Sequence, residues 1–113
     1  MATITRRELI EQAATKVGAL GAGQALEVED LNIIDSYCTQ LFDQLAEDEI
    51  LTVGDEEAIP ASWAPYLSSL LANLIAPDYG TPFSLDTKQV NEAILRRLVR
   101  QKETFEPLKV DYF

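Results

Sequence analysis

The 113-residue sequence contains no histidine and a single cysteine. Without an imidazole, Cys38 has no partner to activate it, and a buried, inert thiol is the expected state. One cysteine excludes an intrachain disulfide framework and suits a reducing cytosol. No apolar run approaches the roughly 20 residues that a membrane span needs. The opening stretch MATITRRELIEQ lacks the apolar core of a secretory signal. Lysine and arginine are missing altogether from residues 21–60. With no histidine and no metal-ligand spacing, only carboxylate chemistry is left to a catalytic reading, so an enzyme is not expected.

What remains is globular and acidic. Hydrophobic residues make up 47%, far from the composition of a disordered chain. At this length one domain is expected, burying roughly two-thirds of the unfolded surface. The net charge of −10 is unevenly spread. Residues 21–60 carry eleven acids, whereas residues 84–104 hold Lys88, Arg96, Arg97, Arg100 and Lys102 against three. Two readings follow. The two charged faces attract each other within one molecule, or the basic face of one copy meets an acidic face (Asp43, Glu47, Asp48, Glu49) of the next.

The acids of EDEILTVGDEEAIP match neither of two common carboxylate chemistries. A calcium loop alternates its ligands and places glycine sixth, which this stretch does not. Glycoside hydrolysis needs two carboxylates in a shaped pocket, and adjacent Glu56 and Glu57 do not suggest one. A solvated loop is expected there. GALGAGQA follows no strand and lacks the phosphate-binding spacing, so it reads as a connector.

Periodicity reads all-helical. Thr5 and Glu8 form a capping box flanked by Ile4 and Leu9. Leu9, Ile10, Ala13, Ala14 and Val17 make one stripe that Gly18 can stop. A second helix runs from about residue 28 to about residue 47, with Leu31, Ile34, Cys38, Leu41, Phe42 and Leu45 facing a core. Ile50, Leu51 and Val53 then favour a short hairpin or ordered loop. The third helix, entered at Ser62 with Pro65 in its first turn, is uncharged and expected to be central. Pro77 ends it. The fourth has Asp86 and Gln89 spaced as a capping box, with Val90, Ala93, Ile94, Leu98 and Val99 predicted to face inward.

These elements predict an all-α fold, a small antiparallel bundle of four main helices over residues 1–104. Pro107 is expected to stop the last helix and leave residues 105–113 as an extended tail. There Leu108, Val110 and Tyr112 alternate with Lys109, Asp111 and Phe113, a strand-like period. Such a tail either straps back onto its own bundle or docks on another chain, for instance by strand addition. Phe105, Leu108, Val110, Tyr112 and Phe113 are the candidate docking residues.

Three stretches carry a family resemblance. ELIEQAATKVGAL is similar to an opening helix, and IIDSYCTQLFDQLAEDEIL to a long second helix running into a hairpin. IPASWAPYLSSLLANLIAPDYG, a helix entered through Pro and Trp and closed on Ala-Pro-Asp-Tyr, is the most specific. Together they resemble the head-to-tail connector (adaptor, or head-completion) proteins of tailed bacteriophages, especially the tail accessory factor of short-tailed phages. The resemblance implies a structural virion protein, made in the host cytoplasm, whose ring of about twelve copies sits beneath the portal protein. It implies three further roles: retaining the packaged genome, giving the next tail or nozzle protein a platform, and passing DNA without sequence-specific binding. No cofactor and no membrane enter that role. Related members of the short-tailed phages continue into a longer C-terminal arm, so a short docking tail is expected here. Alternating charge between neighbours would let equally acidic copies close a ring, and an acidic lumen would repel DNA phosphates rather than bind them. The alternative is a small acidic intracellular helical module that binds other proteins.

Overall fold

The computed structural model describes residues 2–18 and 26–110, with side chains as far as residue 100. It is all-α apart from one two-residue bridge. In order, the elements are β1 (Thr3–Ile4), α1 (Arg6–Lys16), α2 (Val28–Glu47), β2 (Ile59–Pro60), α3 (Ala64–Ile75), a 3₁₀ turn (Ala76–Tyr79) and α4 (Leu85–Val110).

The entry to α1 forms as its sequence dictates. The Glu8 amide donates to Thr5 Oγ1 at 3.2 Å, and the Thr5 amide donates to Glu8 Oε1 at 3.0 Å. Both orphan amides are thereby satisfied. Leu9, Ile10, Ala13 and Ala14 are buried, and Gly18, at φ 79°, supplies the left-handed stop.

Helix α2 buries Ile34, Cys38, Leu41, Phe42 and Leu45. It ends in a Schellman motif, in which Ile50 N–H reaches Leu45 C=O at 2.9 Å and Glu49 N–H reaches Ala46 C=O at 3.1 Å. The left-handed position of that motif normally falls to glycine; here Glu49 holds it at φ 58°. The next segment is an ordered loop that buries Ile50 and Leu51. No local hairpin forms. Instead β2 pairs antiparallel with β1, Ile4 opposite Ile59, tying the loop to the start of the chain. Turn chemistry could suggest a strand near residue 59, but a partner more than fifty residues away leaves no local trace.

Helix α3 is the hub, packing against α1, α2 and α4. Leu67, Ser68, Leu71 and Ile75 on it are wholly buried, and Ser68 satisfies its hydroxyl by donating to Pro65 C=O at 3.1 Å. Its first residue is Ala64, with Trp63 rather than Ser62 at the cap, and Pro65 still lies in the first turn. Pro77 opens the 3₁₀ turn, which closes on Gly80 at φ 88°.

The start of α4 departs from the sequence reading. Ser84, not Asp86, is the cap: its Oγ accepts from Thr87 N–H at 3.1 Å. Asn73 on α3 holds that cap in place, donating to Ser84 C=O and accepting from Ser84 N–H, both at 2.8 Å. With this clamp at its start, α4 turns inward a different face from the predicted one. Leu95 is the fully buried residue and Glu92 is nearly so, while Val90 and Ala93 are exposed. Val99 packs on the core cluster; Ile94 and Leu98, both half-buried, lie outside it.

The backbone of α4 also continues through Pro107 to Val110, past the predicted boundary at residue 104. Pro107 forfeits its own N–H bond to the carbonyl four residues back and its ring crowds that carbonyl, yet the helix runs on for three residues past it. Residues 111–113 lie outside the described residues, as does the predicted connector over residues 18–25 beyond its first residue, Gly18.

Candidate interaction surfaces

Much of the described polar chemistry holds the helices together. Arg6, with its side chain only 15% exposed, is the busiest group. Its Nε donates to Asp35 Oδ1 at 2.8 Å and its Nη1 to Glu56 Oε1 at 2.5 Å. Its Nη2 reaches Asp35 C=O at 2.7 Å and Thr39 Oγ1 at 2.6 Å. The guanidinium also lies 5.8 Å from the centre of the Phe42 ring. Burial works against the charge, but the Asp35 hydrogen bond and neighbouring charges outweigh it and raise the pKa above its ordinary value. One side chain near the start of the chain thus neutralises two acids of the base-free stretch. Sequence reasoning missed it, because an arginine in a first helical turn reads as solvated.

Two tyrosines pin α3's exit to α2 in a reciprocal way. Tyr37 donates to Asp78 Oδ2 at 3.1 Å, and Tyr79 donates to Asp30 Oδ1 at 2.9 Å. Asp30 and Tyr37 are seven residues apart, two helical turns, and so share one face of α2. Burial and the Asp30 bond push the Tyr79 hydroxyl up to about 12. Cys38 is wholly buried, and burial pushes its thiol up to about 12, the state of an unreactive core cysteine.

The predicted charged faces separate into parts. Asp48 and Glu49 line the same open cleft, of about 720 Å³, as Arg96 and Arg100, with Trp63 and Val99 beside them. The last turn of α2 has no basic residue of its own, so these α4 arginines lie where its C-terminal dipole and two acids favour positive charge. These members of the two predicted faces thus stand around one cleft of the same molecule. Lys88 is also engaged internally, 3.0 Å from Glu92 one turn along α4.

Asp43, Glu47 and Arg97 are exposed on the outer faces of α2 and α4. The side chains of Lys102, Phe105, Leu108 and Val110 lie outside the described residues, as do Tyr112 and Phe113 entirely. The backbone at 105, 108 and 110 is helical, so these positions do not alternate as a strand would.

The chain matches no family model, no curated protein and no solved structure.

The remaining candidate surface is apolar. On α4, Val90 is 51% exposed and is followed at four-residue spacing by Ile94 and Leu98. Phe83 and Leu85, flanking the Ser84 cap, are exposed too. This patch was hidden from sequence reasoning because a Val-Ile-Leu stripe is the usual mark of a core face. The signal that could have found it is Leu95: the alternative stripe Lys88, Glu92, Leu95, Val99 also runs at helical spacing, in steps of four and three, with Lys88 and Glu92 able to pair.

Proposed function

We propose that this chain is a structural assembly protein of the phage head-to-tail connector kind, acting by contact and without chemistry. The observation that carries the reading is the apolar surface on α4. Large exposed side chains gathered on one helix of a small acidic protein mark a surface for another protein. The connector class in particular draws support from the residues that carry the resemblance, above all the Trp63-to-Tyr79 stretch. Its Asp78 and Tyr79 have a defined structural task, locking the exit of the central helix onto α2. In this reading the protein joins a ring of its own copies beneath the portal, retains packaged DNA without reading its sequence, and presents a platform to the next tail protein.

The test is gel filtration with purified portal rings of the same virus at moderate salt. The protein is expected to co-migrate with the rings. Deleting residues 107–113 should abolish co-migration while costing no helix beyond the last turn of α4. Full binding by the truncated chain would remove the docking role of its end. Absence of portal binding by the full chain would sink the connector reading in favour of a general acidic interaction module.

A further inference from the structure

We propose that the outer face of α4, built on Val90, Ile94 and Leu98, seats the outward face of α2 from a second copy, centred on Ile33, in a head-to-tail contact. The inference rests on the assembly reading above and names the two surfaces that would meet.

The α4 surface has the composition of a helix seam. Val90, Ile94 and Leu98 follow one another at i, i+4, i+8, and Arg97 flanks them, exposed and without an ion pair among the described residues. The face turned to the core is a different one, carrying Leu95 and Val99. On this seam Val90 is exposed, and Ile94 and Leu98 are half-buried, outside the core cluster.

The α2 surface is its complement. Glu29, Ile33, Ser36, Gln40, Asp43 and Glu47 recur at alternating spacings of four and three, and every one is exposed. That is the spacing at which one helix presents a continuous seam to another. Ile33, 45% exposed, is the large apolar residue on this face. Around it stand Glu29, Asp43 and Glu47 with no base, opposite in sign to Arg97. Other acids of α2 are otherwise engaged, with Asp35 held by Arg6 and Asp30 by Tyr79. The acids of this seam are the ones left facing outward.

The two surfaces are separate patches of one molecule, so a contact between them is heterologous. Each joined pair keeps one unused α2 face and one unused α4 face, so the contact can propagate, and it closes a ring where its rotation allows. Two helix faces make a small interface, at the low end of specific contacts, so the free protein should associate weakly.

The experiment is sedimentation equilibrium of the full chain at concentrations up to about 1 mM, the range in which weak contacts become visible. The wild type is expected to associate with concentration, less so as salt is raised. Val90→Asp blocks the α4 face and Ile33→Asp the α2 face, both at exposed positions where the fold should tolerate them. Each variant alone is expected to stay monomeric with an unchanged thermal melt. An equimolar mixture of the two should form a heterodimer and nothing larger, because one intact face of each kind remains. Should either substitution disturb the melt, Arg97→Glu and Glu29→Lys with Asp43→Lys replace them as the blocked pair. A wild type monomeric throughout, a blocked variant that associates normally, or a mixture that restores no dimer would each overturn the proposal. Loss of self-association with portal binding intact would overturn this contact alone; self-association without portal binding would keep it and remove the connector reading.

Discussion

The hydroxyl of Tyr37, midway along α2, donates to Asp78 in the turn that closes α3, across 3.1 Å. One step further along that turn, Tyr79 returns the bond to Asp30. The exit of the central helix is thus held at two points on one face of α2, by donors and acceptors that alternate between the partners.

Alkali should loosen this latch. Tyr79 in the fold is raised to about 12 and Tyr37 is raised as well, by the Asp78 bond. Cys38 is likewise raised to about 12. For groups neutral when protonated and raised by folding, the folded state binds more protons than the unfolded. Their contribution is therefore complete below the unfolded pKa and lost as pH climbs through the folded one. Stability should be flat to about pH 8.5, the ordinary thiol range, and then fall, more steeply beyond about pH 10 where tyrosine titrates. Thermal melts from pH 7 to 12 would read this. Tyr79→Phe should flatten the upper part of the slope and Cys38→Ala the lower; unchanged slopes in both would contradict the assignment.

Arg6 joins α1 to α2 and to the loop before β2. Arg6→Ala removes four side-chain hydrogen bonds and leaves Asp35 and Glu56 unneutralised beside each other. A loss of roughly 2–3 kcal/mol is expected, in the range for charged hydrogen bonds at a largely covered site. Arg6→Lys keeps the charge but not the fork, and should recover less than half of it. Urea titrations of the three proteins would decide; a lysine variant as stable as wild type would show that charge alone matters.

Asn73 sets the first turn of α4. Asn73→Ala leaves the half-buried Ser84 connection without its bidentate partner, at a cost of about 1–3 kcal/mol. The local signature is more telling than the total. Amide exchange at residues 85–90 should accelerate more than exchange in α3, whereas a uniform increase would mean that Asn73 only supports the core.

Glu49 occupies a left-handed position that favours glycine. Glu49→Gly should stabilise the protein by about 0.5–1 kcal/mol, the relief of left-handed strain exceeding glycine's extra entropy. A higher urea midpoint with an unchanged slope would bear this out. A lower midpoint would mean that the Glu49 carboxylate contributes more, through the cleft it shares with Arg96 and Arg100, than its backbone costs.

Several of these features could be read directly from the chain. The Thr5–Glu8 box, the Gly18 stop, the buried stripe of α2 and the central, uncharged α3 are all local patterns, fixed by residues within a turn or two of one another. So was the fold class, because four amphipathic or apolar helices with short connections have few ways to hide their stripes. The reach of Arg6 to Asp35 and Glu56, the pairing of Ile4 with Ile59 and the Asn73 clamp were not legible, since each joins residues distant in sequence.

Helix α4 marks the boundary between the two kinds of information. Its sequence determined that it is a helix and that it carries apolar residues at helical spacing. Two such stripes compete, one through Val90, Ile94 and Leu98 and one through Leu95 and Val99. Periodicity gives them equal standing, because it reports spacing and not direction. Only the tertiary structure chose: Asn73 fixes the first turn, Lys88 and Glu92 neutralise each other on the inner side, and Leu95 enters the core. The other stripe stays outside the core, with Val90 exposed and Ile94 and Leu98 half-buried, and it carries the surface on which the protein's function is proposed to rest.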